Sequence, residues 1–158
     1  MTNLTRAVLA LLVLSHLFLH VGMGFGHGAP DLFLVAALVA GRLSQVGVAA
    51  GLGFGLGLLE DAFSVLSFGS NAFALAVTGI AASRSRDLFV GDSVLFLFFY
   101  FLVGKWVRDL LAWLVSDAMV RDSFVQHLLV DAPLAGVYAA AAGIAVVTLL
   151  RTQPGSWE

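Results

Sequence analysis

The stretch "GLGFGLGLLEDAFSVLSFGSN", residues 51–71, decides the class of fold. Four glycines alternate with large apolar residues, and then Glu60 and Asp61 interrupt the apolar run. Glycine is unfavourable inside the helices and strands of soluble proteins, whereas carboxylates are expensive near a membrane. The composition of the whole chain indicates which environment surrounds this stretch.

The chain is too apolar for a water-soluble domain. Its 158 residues are 60% hydrophobic and 11% charged, with a mean hydropathy of +0.99, whereas a soluble domain has roughly 25% charged residues. Runs such as "VLFLFFYFLV" (94–103) are apolar on every face, unlike the alternating strands of a membrane barrel. The composition predicts a polytopic α-helical membrane protein with one integral-membrane domain over residues 1–158.

Composition also excludes some functions and ligands. The chain has no cysteine, which excludes disulfides and thiol chemistry. It has no basic tail and no interleaving of basic and aromatic residues, so nucleic acid is not indicated. The N-terminal twenty residues would fit a secretory signal, but no small-x-small cleavage site follows, so we expect a first span there.

The apolar runs predict six membrane spans. The second and third are shorter than the ~20 residues that a span usually needs, so they either fuse into one helix, giving five spans, or form a hairpin, giving six. In the six-span arrangement all five arginines outside residues 105–121 lie on the cytoplasmic side, in keeping with the positive-inside rule, and both termini are cytoplasmic. The predicted spans are residues 6–21, 32–40, 46–59, 65–82, 90–115 and 133–150, and the five arginines are Arg6, Arg42, Arg84, Arg86 and Arg151.

The second span opens with a proline and an acid. We expect Pro30 and Asp31 in its first turns, because Pro lacks an N–H that would be unpaired there and an acid complements the helix dipole.

Two glycine stripes run along the third span. Gly47, Gly51 and Gly55 are spaced by four, and so are Gly53 and Gly57. Such small-xxx-small spacing lets a neighbouring backbone approach closely. The stripes predict packing inside the bundle, with a subunit interface as the alternative. A dinucleotide-binding loop is excluded because its third glycine would have to stand where Leu56 is.

Glu60 and Asp61 end the third span on the outer side. One interpretation is a solvated helix terminus. The other is a functional pair, because "AFSVLSFGSNAF" (62–73) is too apolar for a simple exposed loop and ionisable groups at membrane depth are functional candidates. In that case the segment folds back at the membrane surface, with hydrogen bonds from Ser67, Ser70 and Asn71.

A second polar group lies in the fifth span. Lys105 and Asp109 are four residues apart with Arg108 beside them, and Trp106 and Trp113 suggest the membrane interface, to which basic side chains can snorkel. We therefore predict that residues 105–128 form the emerging end of this span and an outer-surface helix. Asp117 and Arg121 would form a helical ion pair in it. The helix would serve either as a binding platform or as a membrane anchor.

Catalysis, metal and cofactor binding are not indicated. His16 and His20 have a helical spacing, with His27 in the following turn, but no Cys or His partner completes a metal site. Ser15 and His16 are adjacent and point to different faces, so no nucleophile lies beside a base.

Residues 29–87 resemble the rod shape-determining MreD family. The matching elements are a Pro-Asp-Leu opening (30–32), Arg42 at the end of the second helix and a Gly-rich third helix that runs into an acid. A Gly-x-Asn-Ala turn (69–72) and a basic end to the fourth helix follow. The chain departs from the family in having Glu60-Asp61 where Leu-Asp is usual, and in lacking the usual proline before Gly69.

The resemblance implies a non-catalytic component of the bacterial cell-elongation complex in the inner membrane. It implies binding to MreC, a single-span protein, and action with the RodA glycosyltransferase, its transpeptidase and MreB. It also implies a fold similar to the six-helix substrate-binding subunits of energy-coupling-factor transporters. That similarity supplies the alternative function, a small-molecule or lipid-binding subunit of a membrane transporter.

Overall fold

The computed structural model describes residues 3–19, 30–63, 68–86, 93–119, 121 and 123–152, and every regular element among them is helical. The predicted all-helical class is confirmed, and α2 and α3 are separate helices, divided at Ser44 and Gln45. A π-helical segment, Val125–Asp131, leads directly into the last helix. The helices are α1 (Asn3–Leu17), α2 (Leu32–Leu43), α3 (Val46–Phe63), α4 (Ser70–Ser85), α5 (Val94–Val115) and α6 (Ala132–Arg151).

Short polar side chains define where two of the helices begin. Asp31 is the N-cap of α2, and its Oδ1 accepts a hydrogen bond from the Leu34 N–H at 2.9 Å. Ser93 caps α5 in the same way through the Phe96 N–H at 3.1 Å. Pro30 and Asp31 thus precede the first turn of α2 instead of lying in it, because a capping side chain needs non-helical backbone geometry.

Helix α2 is the centre of the bundle. Residues 32–41 are all buried, and the helix contacts α1, α3, α4, α5 and α6. Its 12 residues span about 18 Å at 1.5 Å per residue. The second apolar run is short and continuously apolar because protein surrounds it on every side.

Large apolar side chains are exposed around the outside of the bundle. Two helices, Val46–Phe63 and the continuous helix Val125–Arg151, are long and apolar enough to cross a membrane, whereas α1 and α2 are apolar but shorter. Two such helices do not test the predicted six spans, so the six-span membrane bundle stays a prediction. Among the exposed side chains are Leu11 and Leu14 on α1, Phe54 on α3, Leu95 and Phe99 on α5, and Leu134 and Leu149 on α6.

Helices that follow one another in the chain run in opposite directions, so α2 and α4 are parallel and finish at the same end of the bundle. One end, which we call the arginine end, has Arg42 in the last turn of α2 and Arg84 and Arg86 at the end of α4. Here the Ser83 hydroxyl of α4 donates to the Ser44 carbonyl after α2 at 2.9 Å. At the other end the His16 ring of α1 stacks on Phe33 of α2, with 3.9 Å between the ring centroids. The charged residues at this second end form the candidate site.

Candidate functional site

The two glycine stripes of α3 lie in different environments. Gly53 and Gly57 are buried against α4. A Cβ atom on Gly53 would lie 2.7 Å from the Leu75 carbonyl carbon, and one on Gly57 would lie 2.5 Å from the Ala72 nitrogen. Real Cβ atoms do not approach so closely, so only glycine allows this distance between α3 and α4.

The other stripe faces away from the bundle. Gly47, Gly51 and Gly55 are exposed, and a Cβ atom on any of them would meet no atom of the described residues within 4 Å. Their neighbours Val48 and Leu52 are 52% and 39% exposed. The stripe therefore forms a shallow apolar groove along the outside of α3.

Charged side chains from three helices meet at the end of the bundle where α2 begins. We call Asp31, Glu60, Lys105, Arg108 and Asp109 the ion cluster. Lys105 Nζ lies 2.7 Å from Asp109 Oδ1, one turn along α5, and 3.1 Å from Asp31 Oδ2 at the start of α2. The lysine thus connects α5 to the N-terminus of the central helix.

Arg108 connects the largest number of elements in the cluster. Its Nη1 lies 3.0 Å from Asp109 Oδ1 and 3.5 Å from Asp31 Oδ2. Its Nη2 donates to Glu60 Oε1 on α3 and, at 2.8 Å, to Asn71 Oδ1 on α4. One guanidinium therefore binds α2, α3 and α4 to α5.

The local sequence explains how these groups converge. Positions 105, 108 and 109 lie on one face of a helix, because residues three and four apart are neighbours on its surface. That face of α5 is directed at the N-terminus of α2, where the first-turn N–H groups favour a carboxylate. Burial of the charges is tolerable because each is paired and hydrogen-bonded.

The pairing within the cluster leaves one acid at its edge. The cluster has three acidic and two basic side chains, and four of the five side chains are only 6–9% exposed. The Glu60 side chain is 24% exposed. Within the described part of the chain, Glu60 Oε2 and Arg108 Nε are buried atoms without a hydrogen-bond partner. Glu60 is therefore the least constrained member.

Asp61 has a different function from its neighbour Glu60. It is 1% exposed, and its carboxylate accepts hydrogen bonds from the Gly69, Asn71 and Ala72 N–H groups at 3.0–3.1 Å. These are donors at the start of α4 that have no helical partner. Asp61 thus fastens the end of α3 to the beginning of α4.

The predicted exposed position of the α5 charges is wrong. Lys105 and Arg108 are each 7% exposed and Asp109 is 4% exposed, because these side chains turn inward to the ion cluster instead of snorkelling outward. The sequence pattern did not identify Arg108 as a member of the site. Its i+3 spacing from Lys105 was a usable signal, but identifying its partners required knowing where α2 and α3 lie.

The predicted surface helix over 105–128 is also wrong. Helix α5 continues to Val115, the next described residues are not helical, and the helix resumes at Phe124. Asp117 and Arg121 form no helical pair. The Asp117 carboxylate accepts from the Met119 N–H at 3.0 Å, and Arg121 donates to the Ser116 carbonyl at 2.8 Å and covers the Trp113 ring.

Some predicted features lie beyond what the structure describes. His20, His27 and Ser67 fall outside the described residues. Within those residues, no group of three or more His, Cys, Asp or Glu side chains could hold a metal ion. The ion cluster uses its carboxylates to neutralise Lys105 and Arg108, an arrangement suited to joining helices.

Comparisons with protein-family models, curated proteins and solved structures gave no match for this chain.

Proposed function

We propose that this protein is a non-catalytic membrane component of the bacterial cell-elongation complex that binds MreC and helps to control cell shape and peptidoglycan synthesis. The resemblance of residues 29–87 to the MreD family is the basis for the named partner. The structure contributes a helical bundle with a shallow exposed groove on one outer face.

The surface of the bundle supports placement in the inner membrane. Exposed apolar side chains on α1, α3, α5 and α6 would be costly in water and suit lipid. The basic residues outside the ion cluster collect at the arginine end, with Arg121 as the exception. In a multi-pass protein with cytoplasmic termini, the positive-inside rule assigns that end to the cytoplasm.

The exposed glycine stripe of α3 is the observation that carries the proposal. Gly47, Gly51 and Gly55 leave the α3 backbone accessible along three turns. In a membrane, helix association relies on close backbone approach more than on the hydrophobic effect, and small residues permit it. A single-span partner such as MreC would therefore dock along this groove.

A second copy of the chain is the alternative occupant of the same groove. The remaining partners are those that the MreD resemblance implies. RodA, its transpeptidase and MreB would associate directly or through MreC. The ion cluster would keep the ends of α2, α3, α4 and α5 in register, so that the groove keeps its shape.

A transporter subunit that binds small molecules is the alternative function. It would need an outward-facing pocket lined by polar side chains. Glu60, Asn71 and Lys105 are at that end of the bundle, but they bind one another through Arg108 and Asp109. This self-pairing favours the scaffold.

Co-expression with MreC and affinity purification test the proposal. Wild-type protein should recover MreC, whereas a Gly51→Leu/Gly55→Leu variant should lose it, because the added side chains fill the groove at two positions where a Cβ atom would meet no described residue within 4 Å.

An Ala141→Leu/Ala145→Leu variant is the matched control, since both alanines are exposed on α6. It should recover MreC as well as wild type does. Wild-type protein that is folded and recovers no MreC would reject the proposal, and equal recovery by the groove variant would place the contact elsewhere.

A further inference from the structure

An apolar cavity of about 370 Å³ lies between α4 and α5, with Leu38 of α2 at its base. Its volume is within the range of ligand sites, roughly 300–1,000 Å³. Small residues make the space: Ala81 and Ala82 on α4 and Gly104 on α5. The cavity opens on the outside of the bundle, where Phe99 and Val103 are 52% and 54% exposed.

The three hydroxyl groups that line this cavity are already bonded to backbone carbonyls. Thr78 donates to the Ala74 carbonyl at 2.7 Å, Ser85 to the Ala82 carbonyl at 3.1 Å and Tyr100 to the Leu38 carbonyl at 3.2 Å. The remaining lining is hydrocarbon, apart from the backbone of Gly104. The cavity is therefore suited to a hydrocarbon chain rather than to a polar molecule.

Positive charge gathers where the cavity reaches the arginine end. Ser85 lines the cavity and stands between Arg84 and Arg86 at the end of α4. The Arg42 guanidinium lies 5.5 Å from the centroids of the Phe96 and Tyr100 rings, which also line the cavity. Basic sites between helices on the cytoplasmic side are typical of binding to anionic lipid headgroups.

We propose that the apolar cavity between α4 and α5 binds one anionic phospholipid. An acyl chain occupies the apolar cavity, and the phosphate lies at the arginine end beside Arg42 and the nearby Arg84 and Arg86. This inference rests on the membrane placement proposed above but not on MreC binding. It differs from a transporter function because the lipid is a bound structural component.

Lipid titration of the purified chain tests this inference. The delipidated protein in detergent is titrated with phosphatidylglycerol or with phosphatidylcholine of the same acyl chains, and bound lipid is counted by native mass spectrometry. We expect one phosphatidylglycerol per chain and weaker binding of phosphatidylcholine. An Ala81→Phe variant, which fills the cavity, should abolish binding of both lipids.

Arginine variants test the headgroup part of the site. An Arg84→Gln/Arg86→Gln variant should weaken phosphatidylglycerol binding by about 30-fold, since each of the two basic residues contributes on the order of 1 kcal/mol, and should leave phosphatidylcholine binding unchanged. Arg6→Gln, an exposed arginine on α1, is the matched control and should bind as wild type does.

Ala145→Phe on the exposed face of α6 controls for the added ring, and thermal unfolding without lipid verifies that each variant is folded. Undiminished binding by folded Ala81→Phe, or equal binding of the two lipids by wild type, would overturn the inference. A chain that recovers MreC yet binds no phospholipid would overturn it without affecting the scaffold function.

Discussion

At the scale of single residues, Arg108 joins more helices than any other member of the ion cluster. It contacts Asp31, Glu60, Asn71 and Asp109, which belong to four different helices or their caps. A buried ion pair contributes little net stability compared with an apolar pair, but removing one partner strands the other as an uncompensated buried charge. Arg108 is paired with three acids, so its removal would leave more than one buried carboxylate without this cation.

Replacing Arg108 with Met should therefore be strongly destabilising. We expect Arg108→Met to lower the free energy of unfolding by about 3–5 kcal/mol, because Glu60 and Asp31 lose a buried cation. Chemical denaturation in detergent micelles measures this quantity. Arg108→Lys should be intermediate, since an ammonium group cannot bind Glu60 and Asn71 in the geometry of a guanidinium.

Arg84→Met is the matched control for this prediction, because Arg84 is exposed. Surface substitutions of this kind usually change stability by roughly 0.5 kcal/mol or less. An Arg108→Met variant as stable as Arg84→Met would show that the ion cluster does not hold the helices together.

Adjacent residues can have unrelated functions for a geometric reason. Successive residues on an α-helix are separated by about 100° around its axis, since one turn takes 3.6 residues. Glu60 consequently faces Arg108 on α5, whereas Asp61 faces the N–H groups of α4. The two acids, which look like one motif in the sequence, belong to different interactions.

At the scale of elements, α3 has one glycine face for packing and another that is open. The buried face holds α4, where Gly79 in turn faces the Ala49 carbonyl oxygen, 2.6 Å from where its Cβ would be. On the open face, a Cβ atom added at Gly47, Gly51 or Gly55 would meet no described residue within 4 Å. The same small-residue spacing therefore has two different consequences on one helix.

Single alanine substitutions should separate the two faces of α3. Gly57→Ala should destabilise the protein by about 1–3 kcal/mol, the usual cost of overpacking, because the new methyl group would collide with the α4 backbone. Gly55→Ala should be neutral or stabilising by about 0.5–1 kcal/mol, because alanine is the better helix former. Thermal unfolding of the two variants provides the comparison.

Equal effects of these two substitutions would contradict the assignment of the faces. Gly51→Ala offers a second open position, and it should behave as Gly55→Ala does, since a Cβ there would also meet none of the residues that the structure describes within 4 Å.

At the scale of the whole molecule, charged side chains collect at the two ends of the bundle. Arg42, Arg84 and Arg86 follow or end helices at the arginine end, whereas the ion cluster occupies the opposite end with its charges paired. Arg86 and Ser83 both donate to the Ser44 carbonyl, at 3.4 Å and 2.9 Å. These bonds hold the ends of α2 and α4 together at the arginine end.

Reporter fusions at Ser85 and Ser123 test the orientation. A reporter active only in the cytoplasm should function at Ser85, because positively charged segments are retained there, and should be inactive at Ser123. A reporter active only outside should show the reverse. Activity of the external reporter at Ser85 would contradict the orientation with cytoplasmic termini.

The sequence determined that the protein is helical and identified most members of its polar site. Composition and run length are properties of the chain, so they predicted the helices, and the four-residue spacing predicted that α3 would pack through glycine. The positions of polar residues in the apolar sequence also indicated five members of the site: Asp31, Glu60, Asn71, Lys105 and Asp109. These inferences needed no knowledge of which helices are neighbours.

Only the tertiary structure decided where those features point. Lys105 and Asp109 could have reached outward to an interface or inward to a partner, and their spacing is the same in both cases. The difference is the buried N-terminus of α2, which brings Asp31 within 3.1 Å of Lys105 across 74 residues of chain. Likewise, only the position of α4 separates buried Gly53 and Gly57 from the exposed stripe. Contacts between distant segments depend on how helices pack, and no local pattern encodes that packing.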